Sequence, residues 1–301
     1  MSTEAGRRWW RTKRLPDVEA KAYRLIGRYE RRFGRIGSLW LPVSHIVEGF
    51  LGYEVVYDAP EKYNAPCDAL AVLLPELKLI VQNERETEYL ARENQNYGHE
   101  ICHIECHLPA GFGNAAQLTM GGLIETTEPS HIHCRVTACD GCKGADPPWA
   151  YREAEFFAAC LQLPRERFGP IAEERLREAL RSSLKSWNVR LQDLADDEEL
   201  QAAVNTAAVR SAGERLYNDD YRRNVGRRVQ TIRLAELGLV RQLTRSEAWG
   251  VGEMYALGDR VLSPIYEQAG LELPQPRLLE SCSAATSMGD PFCAGVGEPE
   301  E

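Results

Sequence analysis

The stretch Gly98-His99-Glu100-Ile101-Cys102-His103 decides how the chain is read. It is an H-E-x-x-H pattern. On a helix, residues i and i+4 lie on one face, one turn apart, so His99 and His103 can converge on a single zinc ion. Glu100 follows the first ligand, where it can serve as general base towards water whose pKa the metal lowers to about 7. A catalytic zinc takes three protein ligands and leaves a fourth position open. The longer pattern H-E-x-x-H-x-x-G-x-x-H does not continue, because Cys106 stands in place of its Gly and Pro109 in place of its third His. The third ligand must come from elsewhere in the chain, and a carboxylate is expected. His107 extends the series at i+4, but one straight helix does not wrap three side chains around one ion. His107 therefore reads as a supporting or solvent-facing group.

Working outward, the motif lies late in a helical pattern over residues 84–106. Three short apolar runs precede it, at 53–57, 69–74 and 77–82, and read as strands. Helices are expected at 17–33, stopping at Gly34, and at 43–51, entered through Pro42. From 149 to 270 the pattern is almost wholly helical. Helix, small sheet, then helices is an α+β order rather than an alternating one. The predicted division is a basic arm at 1–14, a metal-binding domain at 15–190 with an insert at 108–148, a helical subdomain at 191–270 and an acidic tail at 271–301.

The chain has 301 residues and a formal charge of −9, with 44 % hydrophobic residues. That is enough for a real core and argues against a protein built mainly to wrap nucleic acid. No apolar run approaches the ~18 residues of a membrane span. The start carries charge but no apolar core of a secretory signal, so a cytoplasmic location is expected. There, nine cysteines read as buried thiols or metal ligands rather than a disulfide framework.

The segment Tyr151-Arg-Glu-Ala-Glu-Phe-Phe-Ala-Ala-Cys-Leu-Gln-Leu-Pro164 is helical, with Phe157, Cys160 and Leu161 on an apolar face. Glu153 lies one turn before Phe157, at the edge of that face, where an unpaired acid would be costly. From the residues alone, Glu153 is the leading candidate for third ligand and Glu155 its competitor. The insert contains His131, His133, Cys134, Cys139 and Cys142. Its C-x-x-C, Cys139-Asp-Gly-Cys142, resembles a zinc knuckle, so a second, structural zinc is one reading and plain reduced thiols another. A basic run holds Arg222, Arg223, Arg227 and Arg228. These are candidates for a DNA or partner contact, although a solvated basic face is the simpler reading.

Together, Gly98-His-Glu-Ile-Cys-His103 and Glu153-Ala-Glu-Phe-Phe-Ala-Ala-Cys-Leu-Gln-Leu-Pro164 resemble two paired motifs of the ImmA/IrrE zinc metallopeptidases: A-H-E-[LI]-G-H, and E-A-N-x-F-A-x-x-L-L-M-P. The resemblance extends to Leu41-Pro-Val-Ser-His-Ile-Val47, Leu51-Gly52, the strand ending at Asn83, and Arg228 to Val240. It implies a small sheet packed on the H-E-x-x-H helix in a zincin-like fold. It also implies His99, His103 and Glu153 as zinc ligands and Glu100 as the general base of an endopeptidase. Some members cleave DNA-binding repressors in stress responses, so a protein substrate of that kind is the expected partner, with no membrane. Gly98, Gln95, Cys102 and Glu155 depart from the family pattern. They keep open an alternative, a non-proteolytic zinc-containing regulator that contacts a partner or DNA.

Overall fold

The computed structural model describes residues 14–37, 41–63, 65, 67, 69–85, 90–108, 132–135, 148–218, 225–243 and 254–273. The chain is α+β. It forms two compact units: Met1–Pro164 with Asp220–Val229, and Arg165–Asp219 with Gln230–Glu301. The sequence division near 190 thus differs from the one in the structure, which follows Pro164.

The first unit opens with α1 (Leu15–Phe33), whose Val18, Ala22, Leu25, Ile26 and Tyr29 form the buried stripe that its 3.6-residue period requires. It ends at Gly34, whose N–H donates to the Glu30 carbonyl at 2.9 Å. Next, α2 (Val43–His45) widens into a π-helical turn over Ile46–Leu51. Four strands follow: β1 (Glu54–Asp58), β2 (Ala69–Leu74), β3 (Leu79–Asn83) and β4 (Ile132–Arg135). Their order is β1-β3-β2-β4; β1 runs parallel to β3, and the other two pairs are antiparallel.

Alternation sends Leu73 and Ile80 into the core shared with the helices, and Val72, Leu74 and Val81 into a smaller cluster with Ala65 and Ala69. The strand β4 falls inside the insert, where no strand is predicted. Helix α3 (Leu90–Cys102) carries the H-E-x-x-H pattern and continues as a π-helical turn, His103–His107. Helix α4 (Pro148–Gln162) is buried around its whole girth from Glu153 onward. It packs against α1 and α3.

The second unit contains α5 (Arg165–Trp187), α6 (Asp193–Asp196), α7 (Glu198–Asn218), most of α8 (Arg227–Glu236), the hairpin β5 (Val240–Leu243) and β6 (Met254–Leu257), and α9 (Asp259–Gln268). The sequence predicts helix almost throughout this region, and the hairpin corrects that expectation. Its strands pair antiparallel, and β6 packs on α7, where Thr206 Oγ1 accepts the Tyr255 N–H at 3.0 Å. A side chain at Gly258 would bring a Cβ to 2.0 Å from the Gly238 carbonyl oxygen, so glycine is needed where the hairpin meets α9. No helix among the described residues is long and apolar enough to cross a membrane.

Candidate metal centre

Helix α3 and the π-helical turn that continues it present His99, Glu100 and His103, all with 0 % exposure. The His99 and His103 rings are 5.1 Å apart between centroids, as i and i+4 on one helical face should be. Burial of that face depends on the close approach of α4. A Cβ placed on Gly98 would lie 2.7 Å from the Ala158 Cβ and 3.0 Å from the Ala158 Cα. Glycine at position 98 therefore lets the two helices approach closely. One turn earlier, Gln95 is absorbed by the same interface: Gln162 Nε2 donates to Gln95 Oε1 at 2.7 Å. On the sheet side, Asn96 Nδ2 donates to Gln82 Oε1 at 3.0 Å. This ties α3 to β3.

Helix α4 contributes two acids on different faces. Glu155 Oε1 lies 3.3 Å from His99 Nδ1. Glu153 Oε2 lies 3.2 Å from His107 Nε2, and His107 Nδ1 lies 2.8 Å from His103 Nδ1. In each case Nδ1 is the atom that a neighbour holds, Glu155 for His99 and His107 for His103, a contact of the kind that orients a histidine ligand in a metal site.

Glu153 is also gripped by Arg14, whose Nε donates to Oε1 at 2.6 Å and whose Nη2 donates to Oε2 at 2.8 Å. Burial works to raise the Glu153 carboxyl. The hydrogen bonds from His107 and Arg14, together with the Arg14 charge, outweigh it and hold the group below the usual carboxylate range. The bond to Glu153 likewise raises Arg14 above its ordinary value. Metal binding needs such an ionised carboxylate.

The donor set thus matches zinc in chemical type and helical spacing. It is not drawn together as a finished cage. Among the described residues, no three His, Cys, Asp or Glu side chains are grouped so as to hold an ion, and Glu153 reaches His103 only through His107.

Around the centre, Cys102, Cys106 and Cys160 are buried, and burial pushes the Cys102 thiol well up. They pack rather than react. Of the proposed second zinc site, the structure places the backbone of His133 and Cys134 on β4, while His131, Cys139 and Cys142 lie outside the described residues. Arg222 and Arg223 also lie outside them, and Arg227 and Arg228 are placed only as backbone at the start of α8. Arg233 of the same basic run is fully buried.

Two partners of the site were not assigned from the sequence. Arg14 falls in the predicted basic arm, and no local pattern pairs it with an acid 139 positions away. The bond from Glu155 to His99 had only one signal, the placement of two acids beside an apolar helical face. Comparisons with protein-family models, curated proteins and solved structures find no match to this chain.

Proposed function

We propose that this protein is a zinc-dependent endopeptidase with His99, His103 and Glu153 as metal ligands and Glu100 as general base. The observation that carries this reading is the buried cluster itself. Two separate acids on α4, one directly and one through His107, hold the Nδ1 atoms of both histidines of the H-E-x-x-H helix. A pair of merely structural histidines does not need this arrangement at both positions.

Zinc held there supplies Lewis acidity at neutral pH. Glu100, beside His99 on the same buried helix, takes a proton from the attacking water and passes it to the leaving amine. Glu155 keeps His99 oriented, and His107 keeps His103 oriented. The finer description of the fold as zincin-like is supported by α3 lying against β2, β3 and β4. The expected substrate is a protein, with a DNA-binding repressor as the specific candidate, acting in the cytoplasm.

Metal analysis of purified protein is the direct test, paired with Glu100→Gln and with casein as a general protein probe. We expect one zinc equivalent bound to the candidate ligands in both proteins, and casein cleavage slowed about 10²–10⁴-fold in the variant. Wild type without zinc would sink the reading. Equal cleavage by Glu100→Gln would remove Glu100 from the mechanism.

A further inference from the structure

Away from the metal centre, the end of α1 meets α2 and its π-helical turn in a group of four rings. Tyr29 is buried and forms the floor. Phe33 lies 4.9 Å from it between centroids, and His45 and Phe50 meet both rings edge-on at 4.9–6.2 Å. His45 Nδ1 lies 2.7 Å from the Tyr29 hydroxyl. Its ring covers Gly49, where a Cβ would come to 2.6 Å from Nε2, so a glycine leaves room for it. Phe33 nevertheless stays 43 % exposed. Arginines rim these rings. The guanidinium carbon of Arg28 lies 5.7 Å from the Phe50 centroid, and that of Arg32 lies 5.3 Å from Phe33. Residues 28–35 carry four arginines against one glutamate. That acid, Glu30, accepts the Ile36 N–H at 3.0 Å. Glu105 pairs with Arg28, and Glu48 lies within electrostatic reach of Tyr57 on β1. Among the described residues, no ion pair involves Arg31, Arg32 or Arg35, and all three are exposed.

We propose that this face binds single-stranded nucleic acid, with phosphates on Arg31, Arg32 and Arg35 and a base stacked on Phe33; the proposal is independent of the zinc reading. The planar arginine fork takes phosphate oxygens in pairs. Stacking on an aromatic side chain accepts any sequence, because every base has a π-face. Tyr29, His45 and Phe50 already hold the Phe33 ring, so little side-chain freedom is lost when a base stacks there. A duplex keeps its base faces stacked within itself and would use the arginines alone. An acidic protein segment would also meet the arginines, and it has no base face to offer. Three guanidinium groups without acidic partners beside an exposed, braced ring therefore favour the single strand. The formal charge of −9 on the whole chain argues against wrapping a long polyanion, not against a local contact with a few phosphates.

The test uses the full chain as wild type, Phe33→Leu and the double variant Arg32→Ala with Arg35→Ala. Fluorescence anisotropy follows three labelled probes across a range of salt: oligothymidylate, the same strand annealed to oligoadenylate, and polyglutamate. Circular dichroism melting checks that each variant is folded, and the comparison of probes on wild type decides the matter even where one is not. Wild type should bind the single strand more tightly than the duplex or polyglutamate. Phe33→Leu should bind it about 5–100-fold more weakly, the loss of one stacked base, with the salt dependence unchanged. The double variant should flatten the slope of log affinity against log salt by about 1.4, at ~0.7 for each phosphate contact removed. No binding of the single strand at low salt overturns the proposal, as does equal binding by Phe33→Leu. Duplex bound as tightly as the single strand reduces the face to a patch of charge and overturns the stacking. A preference for polyglutamate assigns the face to an acidic protein segment instead. Each titration is repeated in excess chelator. Binding that persists there while purified wild type holds no zinc would sink the endopeptidase reading and leave this one standing.

Discussion

Glu153 and Glu155 stand two positions apart on α4, yet both are buried and each serves a different histidine. On an ordinary surface helix, residues at i and i+2 point to different sides, and one of them would be solvated. Here α4 is enclosed, so both acids must find partners. The roles assigned to them predict different substitution effects. Glu155→Gln keeps a polar group that can bond His99 Nδ1, whereas Glu155→Ala removes that contact. Zinc affinity should fall about 10–100-fold in Glu155→Ala and distinctly less in Glu155→Gln. Glu153→Gln removes the ligating charge and should lose more affinity than Glu155→Gln. Dye-competition titrations of the three variants check this, and the reverse order would make Glu155 the ligand. At this scale the sequence shows the chemistry-bearing residues because their spacing follows from helical geometry. It does not show Arg14 or the His107 bridge, because those contacts depend on how whole helices are placed.

The contact of α3 with α4 sets the geometry of the centre. Gly98 faces Ala158 there, and a Cβ at position 98 would lie 2.7 Å from the Ala158 Cβ, so alanine does not fit before His99 without a shift of the helices. Gly98→Ala should destabilise the first unit by about 1–3 kcal/mol through overpacking, even though alanine is the better helix former. Urea unfolding measures this. Pairing the change with Ala158→Gly should recover part of the loss beyond the sum of the single effects, since the two positions are in contact. Equal stability of Gly98→Ala and wild type would show that the helices can separate without cost.

Elements with a strong internal period are legible from sequence in just this way: α1 and β2 lie where their apolar spacing puts them, within two residues. The sequence pattern does not reveal β4, β5 or β6. Each has four residues, too few for alternation to register. Each gains its identity from a partner strand distant in sequence or from a hairpin closed over a long connection.

At the scale of the whole molecule, the three proposed ligands, the general base and Arg14 all fall within one unit, ahead of Pro164. A ligand that binds only the folded state stabilises by mass action, by about 2.7 kcal/mol at a hundredfold excess over its dissociation constant. That stabilisation belongs to the cooperative element that contains the donors and not to the chain as a whole. Hydrogen exchange with and without saturating zinc should therefore show slower exchange in α1, α3 and α4, which carry or brace the donors. The amides of α5 and α7, in the other unit, should exchange at unchanged rates. A chelator should reverse the effect in the first group alone. His99→Ala should abolish it while leaving exchange in α5 and α7 as in wild type. Uniform protection across both units would mean that they unfold as one body and that metal affinity is linked to the stability of the whole chain. Protection confined to α5 or α7 would place the ion elsewhere and remove the H-E-x-x-H helix from the metal centre.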